Sequence, residues 1–454
     1  MHAQLIDPAQ GLAPNEERQP MVIRGEGGVA QTEIRRRNLS RMLRELHLSG
    51  PLSRSELSTE LRLNRSTVAS LIGELSARGL VWERSRNKVL PQAPGRPSPV
   101  VELRRDGPGA LAIDLSTDWI GAAVIGLGGA VIGSTRRDHS LANTNPASIV
   151  DELHGLVGPL LEGLGNGPRI VAIGVSIPGA VRAEDGYLHH APNLGWRDVP
   201  LGSLIRQRFH DLNVPVFVGN DADLAASAEH MRGSGRGSND FICLWGEGGI
   251  GAGFVVGGRS LAGAAGYAGE VGHLTVDPNG NQCHCGARGC WEAEVGEEAL
   301  LRRSGRDPLG GTRALADLLA AADRGDKVAL AAVAESGRWL GIGLAGLVNV
   351  FNPTRVSLGG LYARIYPYVR EAVVRELDAR AMPAPRAMVE LTTALLGANT
   401  LLLGAAELAL APTIYDPTIV PVSGGSAGVD PDRWRPRRTH GFGPLVTQAD
   451  QSRR

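Results

Sequence analysis

Gly272-His273, followed ten residues later by Cys283-His284-Cys285-Gly286-Ala287-Arg288-Gly289-Cys290-Trp291-Glu292, is the stretch from which the rest of the chain is read. Three of the four cysteines fall within these eight residues from 283 to 290, and in a cytosolic chain such a cluster favours a metal over disulfides. Three thiolates and one imidazole make the closed tetrahedral set of a structural Zn²⁺, so His273, Cys283, Cys285 and Cys290 are the expected ligands. That set leaves no coordination position for a catalytic water. Gly286 and Gly289 let the short loop fold back around the ion. His284 lies between ligands in an extended segment and is not counted. The alternative is three unligated core cysteines. Cys243, beside Leu244 and Trp245 in an apolar stretch, reads as an inert core thiol.

Working outward, 454 residues are too many for one ordinary core, so two or more domains are expected. The balance of 43% hydrophobic and 21% charged residues is that of a globular protein. No run of consecutive apolar residues approaches the roughly 18 to 20 needed to cross a bilayer. Residues 1–32 lack a basic-then-apolar leader and read as a flexible arm, so the expected address is cytoplasmic, with no membrane partner. The net charge of zero hides an asymmetry. Between Arg35 and Arg105 stand 15 Arg and Lys against six Glu, a local excess of +9. A basic module on a neutral chain points to contact with a polyanion, usually nucleic acid, or else to a solvated basic face.

Residues 33–105 carry three short helical patterns. Leu39, Leu43 and Leu46 form one stripe over Arg35–His47, with Met42 beside it. The second helix opens at Ser53 with Ser-Arg-Ser-Glu, a capping box in which Glu56 reaches back, and buries Leu57 and Leu61. The third opens at Asn64 and sets Val68, Leu71, Ile72 and Leu75 at helical spacing, ending at Gly79. The short second-to-third connection is that of a helix-turn-helix. Leu80-Val81-Trp82 and Val100–Leu103 read as the strands of a wing whose basic tip holds Gly95-Arg96-Pro97. Ser53, Asn64, Arg65, Ser66, Thr67 and Ser70 are the candidate contacts to phosphates and base edges, and Arg96 suits a narrow minor groove. A three-helix interaction module that happens to be basic is the competing reading.

From 108 to 410 the pattern is α/β. A buried strand at Gly109–Asp114 is followed by Trp119–Ile125, a Gly128-Gly129 turn and Ala130–Ser134, then a helix at Pro146–Leu164 and a strand at Ile170–Ser176. A second set starts near Phe241, with Phe241–Trp245, Gly251–Val256 and a long helix at Lys327–Phe351. From Pro412 onward, Pro, Gly, Ser and charged residues dominate, and 411–454 reads as a disordered tail.

The His273–Glu292 stretch resembles the zinc signature of the ROK family of repressors and sugar kinases, and the resemblance extends from about residue 35 to 410. It implies an actin-like sugar-kinase (ribonuclease H-like) two-lobed α/β domain preceded by a winged helix-turn-helix. It further implies that Asn220-Asp221, at a strand end, is the family's Asn-Asp, where the Asp is general base in kinases. Pro178, Gly179, Asn193, Glu270, His273 and Glu292 match sugar-contacting positions. Carboxylates and an amide suit arrays of hydroxyls, and His273 would hold zinc with one nitrogen and a hydroxyl with the other.

The family contains both repressors and kinases, so the nucleotide loops decide. Asp114-Leu115-Ser116-Thr117-Asp118 has Ser116 where kinases carry a close-approach glycine, and adds Asp118. Gly246-Glu247-Gly248-Gly249-Ile250-Gly251 places Glu247 where backbone N–H groups would cradle phosphate. Both departures favour a sugar-responsive repressor without enzyme activity, a homodimer or dimer of dimers on double-stranded operator DNA, with Asp221 a sugar ligand. An ATP-dependent sugar kinase with an appended DNA module, or a zinc-stabilised interaction protein, are the alternatives.

Overall fold

A computed structural model describes residues 26–84, 98–165, 167–247 and 249–422 of the chain. Residues 1–25, the tip of the wing with Arg96, and the chain from 423 lie outside these residues.

The N-terminal module opens with α1 (Glu26–Ser49). This helix starts nine residues before Arg35 and takes the end of the expected arm with it, because a helix anchored by buried Leu39, Met42, Leu43 and Leu46 extends by one hydrogen bond per residue. A two-residue strand, β1 (Leu52–Ser53), too short to leave a periodic pattern, leads into α2 (Arg54–Leu61). Its capping box forms as read: the Glu56 N–H donates to Ser53 Oγ at 3.2 Å and the Ser53 N–H to Glu56 Oε2 at 2.7 Å. After a left-handed turn at Arg62, α3 (Arg65–Ala77) is capped by Asn64, whose Oδ1 accepts from the Thr67 N–H at 2.8 Å. β2 (Val81–Arg84) and β3 (Val100–Leu103) complete an antiparallel sheet of order β1-β3-β2.

Next come β4 (Pro108–Leu115), β5 (Trp119–Gly126), β6 (Val131–Asp138), α4 (Pro146–Gly163) and β7 (Arg169–Ile177). A small antiparallel sheet follows, built from β8 (Ala180–Arg182), β9 (Tyr187–Ala191) and β10 (Trp196–Val199), then α5 (Leu201–Arg208), β11 (Val216–Asn220) and α6 (Asp221–Arg232). The second half runs β12 (Phe241–Glu247), β13 (Gly249–Val256), β14 (Arg259–Ser260), α7 (Trp291–Val295), α8 (Glu297–Arg303), α9 (Gly311–Asp323) and α10 (Lys327–Phe351). It closes with β15 (Arg355–Gly360), α11 (Leu361–Arg380), α12 (Pro383–Met388), β16 (Glu390–Thr393) and α13 (Thr400–Tyr415).

The two large sheets share one plan. In order β6-β5-β4-β7-β11 and β14-β13-β12-β15-β16, the first three strands of each pair antiparallel and the last two join in parallel. Two halves of identical strand order facing a cleft are the actin-like, two-lobed architecture.

The tail reading needs correction. α13 continues through Pro412 to Tyr415, and a turn at Pro417–Ile419 follows, so the chain is ordered well past 411. Proline in a helix interior forfeits a hydrogen bond, but burial of Leu410, Ile414 and Val420 outweighs that loss. These residues share one apolar core with Leu39, Met42, Leu43 and Leu46 of α1 and with Val68, Leu71, Ile72 and Leu75 of α3. The N-terminal module is therefore packed onto the first lobe, not strung from it. By length and hydropathy α10 and the segment Gly397–Tyr415 would pass as membrane spans, yet 56% and 78% of those windows lie buried inside the protein, as expected of core helices.

α13 crosses the first sheet at backbone contact: a methyl group on Gly174 of β7 would overlap the Ala405 carbonyl. Gly174→Ala should therefore cost about 3 kcal/mol, the upper range for overpacking, read as a lower urea midpoint with unchanged slope.

Candidate functional site

The zinc loop folds as a cage. Cys283 Sγ lies 3.7 Å from His273 Nδ1, Cys285 Sγ lies 3.7 Å from Cys290 Sγ, and the four donor atoms all fall within 4.8 Å of one another. A tetrahedron with Zn–S bonds of about 2.3 Å has edges of about 3.7 Å, so the donor set fits the ion. Gly289 makes the return possible: its φ is +72°, and a side chain there would meet the Asp277 carbonyl. Burial pushes the Cys283 and Cys290 thiols up, which disfavours thiolate unless a cation is bound. His284 stays outside the set, 3.4 Å from Glu298.

A cleft of about 510 Å³ opens beside the cage, and all eight residues matched to sugar positions line it. His273 supplies the junction. Its Nδ1 faces the thiols while Nε2 faces the cleft, 3.9 Å from Glu270 Oε2. Metal ligation at one nitrogen would leave the other protonated and aimed at a ligand hydroxyl. Asn220 ends β11 and caps α6 through Oδ1, accepting from the Ala222 and Asp223 N–H groups, while its Nδ2 donates to the Gly179 carbonyl at 3.1 Å. Gly179 adopts φ +119°, and a methyl there would sit 2.5 Å from the His190 carbonyl, so this wall must be bare backbone. Pro178 precedes it. Asn193, in a short 3-10 turn, and Glu292, at the start of α7, close the opposite side. The Ile250 N–H donates to Glu292 Oε2 at 3.0 Å, which fixes that carboxylate.

Asp221 opens α6 inside the cleft. Burial, then the charges of Glu247 and Glu270, push its carboxyl up to about 7. Its neighbour Asp223 is pushed up to about 8 by burial, then by Asp221 and Glu270. A cleft rich in carboxyl groups and one amide presents many acceptors and few fixed cations, the chemistry of a polyhydroxylated neutral ligand.

The two loops singled out for nucleotide meet each other. Glu247 accepts hydrogen bonds from the Trp119 indole N–H at 3.2 Å and the Trp245 indole N–H at 3.3 Å. Asp114 is wholly buried near the end of β4, its carboxyl oxygens shut off from water beside Ser176. Burial and then Glu247 hold its carboxyl well above the carboxylate range. The indole pair, invisible in sequence because 126 residues separate Trp119 from Trp245, stabilises an acid where a triphosphate would need donors.

On the N-terminal module, Asn64, Arg65 and Ser66 are exposed at the start of α3, with Thr67 half-buried. Ser70 is exposed but accepts from Arg35 at 3.1 Å. Ser53 is a correction: it is 6% exposed and its hydroxyl is committed to the capping box and Ser55, so it builds α2 and offers no free donor.

Residues 110–411 match the model of the ROK family. The chain belongs to that family. The xylose repressor of Bacillus spizizenii is 31% identical over 382 residues, covering 84% of this chain and 96% of the repressor. A solved ROK family transcriptional regulator, described as a homologue of the Escherichia coli MLC protein, superposes with a TM-score of 0.68 at 26% identity, over 84% of this chain and 97% of its own. A Streptomyces griseus ROK glucokinase, solved with glucose and AMPPNP, covers 67% of this chain and 99% of its own, with a TM-score of 0.58 at 28% identity.

Two outcomes follow for this ROK chain. Cys285→Ser should lose bound zinc and lower the melting temperature, measured by metal analysis of dialysed protein and by calorimetry; full metal content would refute the cage. Asp223 also sets a pH dependence. Its folded-state pKa of about 8 exceeds the unfolded value of about 3.9, so the native state binds more protons and stability falls as pH rises from about 4 to about 8. Asp223→Asn should therefore gain stability relative to wild type at pH 8 and show little gain below pH 4, in paired thermal melts.

Proposed function

We propose that this ROK protein is a DNA-binding transcriptional repressor of sugar-metabolism genes, whose operator binding is modulated by a sugar held in the cleft. One observation carries the reading: the Bacillus spizizenii xylose repressor aligns over 84% of the chain, whereas the glucokinase aligns over 67%, about the length of the family domain without the N-terminal module and its +9 charge. The three helices and short sheet of that module are a winged helix-turn-helix in this reading. Asn64, Arg65, Ser66, Thr67 and Ser70 at the start of α3 face the major groove, and Arg96 reaches from the wing to the minor groove.

The cleft binds without phosphorylating. Glu247 and Asp118 stand where an incoming triphosphate would meet like charge, a repulsion of roughly 1 to 4 kcal/mol for a pair about 4 Å apart. Zinc, when bound, is structural: His273 and the three cysteines fill its coordination and turn His273 Nε2 toward the sugar. Asp221, Asn220, Glu270, Glu292 and Asn193, against the Pro178-Gly179 wall, bind the hydroxyls. The repressor acts in the cytoplasm as a homodimer or dimer of dimers, because paired half-sites stand about 34 to 36 Å apart on the duplex.

A duplex selected by the protein from a random pool, then challenged with D-xylose, D-glucose or N-acetylglucosamine, tests this. One of these sugars should raise the melting temperature and change affinity for the duplex, with ADP release at background. Sugar-dependent ADP release that disappears in Asp221→Asn would establish the kinase reading instead. Arg65→Ala should weaken duplex binding and reduce the slope of log K against log salt by about 1, leaving sugar affinity unchanged; an unaltered slope would misplace the interface.

A further inference from the structure

Helix α6 touches both ends of the proposed regulatory path. Asp221, its first residue, lies in the sugar cleft; Arg232, its last, is about 16 Å away along the axis. Arg232 does not end in solvent. Its Nε donates to Glu407 Oε1 of α13 at 2.7 Å, and its Nη1 donates to the His47 carbonyl at 3.2 Å and the Gly128 carbonyl at 3.0 Å. The His47 carbonyl belongs to the last turn of α1, where carbonyls lack intrahelical partners, so Arg232 caps the helix that carries the DNA-binding module.

His47 closes the network. The Gly128 N–H donates to His47 Nδ1 at 2.9 Å, and His47 Nε2 lies 2.8 Å from Glu407 Oε2 and 2.5 Å from Arg232 Nη2. All three side chains are withdrawn from water: His47 is 1%, Glu407 3% and Arg232 13% exposed. Burial raises the Glu407 carboxyl, but His47 and Arg232 outweigh it and hold the group at about 2. A carboxylate that stays charged at this depth depends on its partners, so the cluster tolerates few geometries.

The path between the ends is stiff. A methyl on Gly404 of α13 would overlap the Leu224 carbonyl of α6, so the two helices meet at backbone distance and cannot slide past one another freely. At the far side, Arg78, the C-cap of α3, donates to the Thr418 carbonyl at 3.1 Å and the Val420 carbonyl at 2.7 Å, and Arg36 of α1 reaches Asp416 at 3.4 Å. The chain running on from α13 therefore grips both the scaffold helix and the recognition helix.

We infer that the Arg232–Glu407–His47 cluster is the element through which occupancy of the cleft sets the position of the DNA-binding module, with α6 as its lever. This rests on the repressor reading above, and wild type is measured first: failure to bind the selected duplex or any of the three sugars would fail that reading, separately from the relay. Arg232→Lys keeps the charge beside Glu407 but loses the guanidinium fork that spans two carbonyls. Wild-type coupling, the ratio of duplex Kd with and without D-xylose, D-glucose or N-acetylglucosamine, is expected in the range of about 5- to 150-fold. In Arg232→Lys it should fall to about 1- to 3-fold, with the sugar-induced rise in melting temperature retained. Wild-type coupling in this variant would overturn the assignment. Should the variant not fold, hydrogen exchange on wild type decides. Addition of the same sugar should change protection of the amides at 46–50 and at Gly128, and unchanged protection there would equally overturn it.

Discussion

α13 is buried along nearly its whole length, and the first sheet, α6 and α1 are arranged to cover it. One side lies on the first sheet, another on α6, and the remainder would face water if α1 were not packed there. An apolar helix with no polar face has to be covered all round, so the N-terminal module docks through hydrophobic burial and not merely through its linker. Small residues at Gly174 and Gly404 permit backbone approach where larger ones would hold the elements apart. The same packing that stabilises the fold thereby places the N-terminal module in direct contact with the first lobe.

The cleft shows a second constraint, an excess of buried acids. Asp221, Asp223 and Asp114 are each driven toward the neutral form by burial first and by a neighbouring carboxyl second, Glu247 for Asp221 and Asp114, and Asp221 for Asp223. A protonated carboxyl both donates and accepts, which suits hydroxyl groups, and its neutrality avoids the cost of an unpaired buried charge. The zinc loop contributes through orientation: by facing Nδ1 toward the thiols, the fold directs the other edge of His273 into the cleft. Glu247 is held at the other end of the cleft by two indole donors, Trp119 and Trp245.

Much of this was legible in the sequence where the determinants are local. The metal set lies within eighteen residues, and its spacing alone predicts a cage because short loops leave few ways to bring the donors together. Capping at Ser53 and Asn64 was readable for the same reason, since a cap and its helix are neighbours. Yet the capping that marked Ser53 also removed it from the DNA-facing set, because its hydroxyl is used internally. The cleft residues were reached through a family resemblance; nothing in the spacing of Asn193, Asp221, Glu270 and Glu292 alone brings them together.

Sequence by itself determined the His-Cys cluster that could hold a metal, the three N-terminal helices, four strands of the first lobe and two of the second, and the departures at Ser116 and Glu247. Tertiary structure alone decided that Trp119 and Trp245 would hold Glu247, that the chain past Pro412 would stay ordered, and that Arg232, His47 and Glu407 would meet. The physical reason is separation. His47 and Glu407 stand 360 residues apart, and hydrophobic burial of α13 is what joins them. Local patterns record hydrogen bonds within a turn or two, whereas a polar cluster between packed elements exists only once the apolar surfaces around it have found each other.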